Sequence, residues 1–124
     1  MLETITRKTL WISSGFNLIA AYALAFPQHS LGVLFELPSD TPRLYAYLFS
    51  YVVAVFGVSY AWLARQPTIS KPLLSVAAAG KIGIFMITAA LTIAGDISIR
   101  PTLLASGDLL FGSIWLCWLL QRQH

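Results

Sequence analysis

Two ionisable residues stand inside long apolar stretches, Lys81 and Asp108. Every other charged residue lies at or beyond the end of such a stretch. A charged side chain at mid-bilayer depth is costly, so each of the two must face protein or water rather than lipid. Two kinds of chemistry fit them. They are a neutralising pair that fixes helix register, or they belong to a polar cavity for a proton, an anion or a lipid headgroup.

Depth identifies their candidate partners. Lys81 lies nine residues from Pro72, ~13 Å from that helix end at 1.5 Å per residue. Asp108 lies ~18 Å from the same side, counted back from Leu120. Side chains lean toward helix N-termini, so the two lean apart. A direct contact and a bridge through water or a hydroxyl are both open. Asn17, at ~12 Å, and Ser113, at ~10 Å, match the lysine in depth. Ser13 and Asn17, four apart, share a helix face. Tyr60, Trp115 and Trp118 are the aromatic residues suited either to lining a lipid pocket or to packing. The ligand or proton-site candidates are therefore Lys81, Asp108, Asn17, Ser113 and Tyr60.

Catalytic sets are missing from the sequence pattern. No Ser/His/Asp set, carboxylate pair or glycine-rich phosphate loop falls within the apolar stretches. Gly80-Lys81 lacks the upstream glycine of a phosphate loop, and Ile82 follows where Ser or Thr is required. Cys117 is the single cysteine, so no intramolecular disulfide can form. The histidines, His29 and His124, fall in a loop and at the C-terminus, so no haem ligand is placed in the membrane. No cofactor and no metal site are expected.

The elements that must hold these residues follow from composition. The 124 residues allow one domain; 57% are hydrophobic and 10% charged, well below the roughly 25% charge of a soluble domain. A soluble chain this short could not hide that much apolar surface. The net charge of +3 does not imply nucleic acid, because the basic residues do not cluster and most flank apolar segments. The pattern predicts an all-α integral membrane protein, a four-helix antiparallel bundle with helices over about 9–26, 44–64, 72–94 and 102–120. The first is expected to be a retained helix rather than a signal peptide, because its apolar run is long and carries Ser13, Ser14 and Asn17.

Residues 31–38 form an apolar patch too short to span, read as an interfacial or re-entrant turn. Ser39 to Pro42 offers a cap with proline just inside the second helix. Ser50 with Ala54, Gly57 with Ala61, and Ser75, Ala79 and Gly83 make small faces for close helix approach. Arg7, Lys8, Arg65, Lys71 and Arg122 lie on one side, and Arg43 and Arg100 on the other. The positive-inside rule places both termini in the cytoplasm of a bacterial inner membrane.

The chain resembles the small four-helix bacterial membrane proteins grouped as DoxX-like. The resemblance rests on Gly57-x-x-Tyr60, Ala64-Arg65-x-Pro67, Gly80-Lys81 and Gly107-Asp108-Leu109-Leu110-Phe111. It covers roughly the second to fourth helices and implies the architecture more than any activity. Some members are associated with thiosulfate and quinone redox chemistry. With no embedded histidine or cysteine pair here, redox activity is not carried over. The expected role is non-enzymatic: a lipophilic-ligand-binding protein or a subunit of a membrane complex. The alternative is a small transporter or an ion- or proton-conducting oligomer using Lys81 and Asp108. The expected partners are the lipid bilayer and a homo-oligomer or larger membrane complex.

Overall fold

The computed structural model describes residues 1–122; Gln123 and His124 lie outside the described residues. Among the described residues all regular structure is helical: α1 (Leu2–Ala25), α2 (Ser30–Leu34), α3 (Arg43–Arg65), α4 (Lys71–Ile93) and α5 (Arg100–Arg122). Three of these, α3, α4 and α5, are long and apolar enough to cross a membrane. Helix α1 is equally long, but Lys8, Ser13, Ser14 and Asn17 dilute its apolar content.

The helices differ from expectation at their ends. Helix α1 begins at Leu2 rather than in a polar tail. Glu3 and Arg7, four apart, approach to 3.9 Å, and Thr6 is fully buried, so this first stretch packs as helix. The connection at 31–38 contains the short helix α2, which five residues of sequence were too few to reveal. Its Gly32 sits so close to Pro27 that a Cβ would collide with the proline backbone. Helix α3 starts on Pro42 at the N-cap with no side-chain cap, so the Ser39–Thr41 cap does not form. The capped helix is α4, where the Ser70 hydroxyl accepts from the Leu73 N–H at 3.4 Å and Pro72 occupies the first turn.

Packing divides the molecule into two hairpins. Helix α3 packs mainly on α1, and α4 mainly on α5; α1 also touches α5, while α3 and α4 meet only sparingly. Gly57 of α3 admits the α1 backbone, since a Cβ there would lie 3.0 Å from the Asn17 Cβ and 3.2 Å from the Ser14 carbonyl oxygen. Gly112 does the same for α5 against α4, with Lys81 Cβ 3.1 Å and the Ala78 carbonyl oxygen 3.2 Å from that position. The expected small face of α4 is different. Nothing lies near a Cβ at Gly80 or Gly83, and Ser75 and Ala79 are exposed, so this stripe borders open space instead of a helix.

Small alanines, Ala21, Ala23 and Ala105, are buried toward one end of the bundle, while the large side chains of the core gather at the end that carries the N-terminus. Leu10 of α1, Tyr60 and Leu63 of α3, Leu74, Ala77 and Ala78 of α4, and Phe111, Trp115 and Leu119 of α5 interlock there with Ile69 of the α3–α4 turn. Arg7 ties this end together by donating to the carbonyl oxygens of Ala64, Gln66 and Pro67, at 3.0, 2.6 and 2.9 Å. Those are the free carbonyls at the close of α3 and in the turn after it, and a cation is favoured at a helix C-terminus. Trp115 Nε1 donates to Thr9 Oγ1 at 3.0 Å, joining α5 to α1. Toward the far end a cavity separates the two hairpins, while each stays closed within itself: Ser50 Oγ donates to the Ala21 carbonyl oxygen at 2.6 Å, and the Thr92 and Thr102 hydroxyls meet at 2.7 Å. Outward faces of the long helices are largely apolar, with Ile19, Val58, Met86 and Leu110 all more than half exposed, a surface compatible with a membrane protein.

Candidate functional site

Lys81 sits where the core stops. It completes the buried face of α4, which runs Leu74, Ala77, Ala78, Lys81 at helical spacing. Its side chain is 3% exposed. The ammonium donates to Asp108 Oδ1 of α5 at 2.6 Å and to Asn17 Oδ1 of α1 at 2.5 Å. Three rings surround it, Tyr60, Phe16 and Phe111, with centroids at 5.1, 5.2 and 5.7 Å. Each is within the range of a cation–π contact. The rings hold one another: Phe16 meets Phe111 edge-on at 6.0 Å, and Tyr60 lies 5.1 Å from Trp115.

Four helices thus supply one cluster, and the contact between Lys81 and Asp108 is direct. Asn17 makes two contacts. Its Nδ2 donates to the Val53 carbonyl oxygen of α3 at 3.0 Å, while its Oδ1 accepts from the lysine. It both joins two helices and orients the ammonium. Tyr60 also belongs, as one wall of the cluster.

Ser113 does not belong. It is exposed on α5, and the structure places it away from the lysine. It was matched on depth alone; five residues beyond Asp108 it points about 140° around the helix from it. Trp115 is fully buried and Trp118 nearly so, both as packing residues. Phe16 and Phe111 were not foreseen as ligand-site residues, although each lies within one turn of Asn17 or Asp108 and so on a neighbouring part of the same helix surface.

Beyond the cluster, toward the far end, a half-open cavity of about 530 Å³ lies between the two hairpins. That volume lies within the range of small-molecule sites. Asn17, Tyr60, Lys81 and Asp108 form its polar end; Leu24, Val52, Phe56, Ile84, Ile87 and Leu104 are among its apolar walls. It reaches Thr88 and Pro101, so it extends about 10 Å along α4 and α5 from Lys81 and Asp108. Gly80 and Gly83 line it as well, which explains the empty space beside them.

Leu37 lines the cavity from the α2–α3 connection. That connection is held to α5 by Arg100, which donates to the Leu34 carbonyl oxygen at 3.1 Å and pairs with Glu36 at 3.5 Å. Among the described residues, no three His, Cys, Asp or Glu side chains converge as metal ligands. No family model matches the chain, and no curated protein or solved structure matches it either.

Proposed function

We propose that the chain is a four-span membrane protein that holds a lipophilic molecule in the cavity between its two hairpins. In this reading α1 is the fourth span, despite its polar residues, because those residues face inward. Thr6, Ser13, Ser14 and Asn17 are all buried in the bundle. Both termini face the cytoplasm of a bacterial inner membrane, on the strength of the Lys and Arg distribution. The observation that carries the function is the cavity itself: apolar along its length and closed at one end by a paired lysine and aspartate. A site of this shape suits a molecule with one polar end. Some of the residues behind the DoxX-like resemblance lie here: Gly57 packs on Asn17, and Tyr60, Lys81, Asp108 and Phe111 belong to the cluster.

The test is extraction of lipophiles from protein purified in mild detergent. The expected result is a stoichiometric molecule recovered from the native chain and depleted from Gly83→Leu, whose side chain would project into the cavity. Equal recovery from both, with circular dichroism showing both folded, would overturn the proposal.

Proton conduction is a second reading, favoured by one observation. The buried face of α1 carries hydroxyls between the cluster and the N-terminal end, and Ser13 Oγ and Thr6 Oγ1 are buried without a hydrogen-bond partner. Conduction predicts proton flux in proteoliposomes that Ser13→Val abolishes. Ligand binding predicts no flux from either protein.

A further inference from the structure

The polar end of the cavity presents its two charges unequally. The lysine is hidden: 3% of its side chain is exposed, two carbonyl or carboxylate oxygens accept from it, and three rings enclose it. The aspartate is the open member, at 14%, and it lines the cavity. Among the described residues, Lys81 is the only hydrogen-bond donor to its carboxylate. An entering molecule therefore meets an acceptor oxygen, not a free cation.

We infer that the occupant is an uncharged long-chain lipophile whose head donates a hydrogen bond, an alcohol, with its O–H directed at the Asp108 carboxylate. This deepens the ligand-binding reading above and rests on it. The other head chemistries fit less well.

An anionic head would be set against the carboxylate with the lysine behind it, and like charges repel strongly where water is excluded. A cationic head would add a second positive charge beside Lys81, with one carboxylate to share between them. An ether or ester only accepts, so it leaves the Asp108 carboxylate with no donor but Lys81. A hydroxyl donates, keeps the cluster neutral overall, and loses little on burial once its hydrogen bond is made. A hydrogen bond to an ionised acceptor is also about twice as strong as one between neutral groups. The tail would follow the apolar walls for about 10 Å and leave between α3 and α4, which meet only sparingly.

The experiment compares three molecules with one chain in common: oleyl alcohol, oleyl methyl ether and oleyl sulfate. Each is added at equal mole fraction to the protein in phosphatidylcholine nanodiscs, and thermal unfolding is followed by tryptophan fluorescence. The alcohol should raise Tm by about 5 °C or more. The ether and the sulfate should need at least about tenfold more for the same shift. Gly83→Leu and Ile87→Trp, which place bulk along the cavity wall, should each fold and lose the response to alcohol.

An ether or sulfate as effective as the alcohol overturns the head-group inference and leaves the lipophile-binding reading standing. No shift with any of the three overturns both. A folded Gly83→Leu and Ile87→Trp that still respond to alcohol place its site elsewhere. A dimer in nanodiscs that Gly83→Leu converts to monomer would mean that a second copy fills the space, and would also overturn the inference.

Discussion

At the scale of single residues, the molecule turns on a charge pair placed among rings. Removing one member of a buried pair leaves the other uncompensated, typically at about 3–5 kcal/mol. Lys81→Met or Asp108→Asn alone should therefore lower stability by about that much. Making both changes together should restore most of it, because the asparagine and methionine carry no charge to strand. A double-mutant cycle read from thermal unfolding in detergent measures the coupling; a value near zero would mean that the two residues act independently despite their 2.6 Å contact. Asn17→Ala should cost about 1–3 kcal/mol, since it removes the second hydrogen bond to the Val53 carbonyl, whose helical bond remains, and one acceptor of the buried lysine ammonium. If Asn17→Ala unfolds at the native temperature, neither hydrogen bond contributes to stability.

At the scale of elements, glycines separate what is packed from what is open. Gly57→Leu and Gly112→Leu force helices apart and should destabilise by about 1–3 kcal/mol or more. Gly83→Leu meets no neighbour and should stay within about 1 kcal/mol of the native chain. The three thermal midpoints in one detergent check the ranking; a Gly83 variant as weak as the other two would place that glycine in a helix contact. Arg7→Ala should loosen the end of α3 by about 1.5–3 kcal/mol, the range for hydrogen bonds from a charged donor. Hydrogen exchange at the last turn of α3 would register this as faster exchange there than in the middle of the same helix.

These glycines also mark how far the sequence could be read. The long helices are plain in it because an apolar run of some twenty residues has few other uses. Depth along a helix follows from counting, which put Asn17 level with Lys81. Direction around the helix does not follow from counting alone. Counting therefore does not show that Ser113 faces outward, or that Ala79 and Gly83 border a cavity and Ser75 lies exposed although their spacing is that of a packed seam. Whether a small residue admits a helix or leaves a space depends on the partner helix, which no single segment encodes.

At the scale of the whole molecule, the interlocked end and the end that holds the cavity divide labour between rigidity and access. The core side chains Leu10, Leu63, Leu74 and Trp115 hold the four long helices at one end, and the lysine cluster marks where that grip ends. With both termini on the more basic side, reporter fusions after Arg65 and after Arg122 should both read cytoplasmic. A periplasmic signal from either would invert the proposed orientation, and with it the side toward which the cavity extends.

The order of the three partners along the chain gives the cluster a history as well as a geometry. Asn17 and Tyr60 leave the ribosome before Lys81, and Asp108 follows 27 residues after it. At about 5–20 residues per second that interval is roughly 1–5 s. For that time a newborn α4 carries its ammonium without the carboxylate that will neutralise it. Both halves of the first hairpin, Asn17 and the Val53 carbonyl that holds it in the finished structure, have been made by then. Asn17 is thus the lysine's earliest available partner, and the aspartate the last to be made.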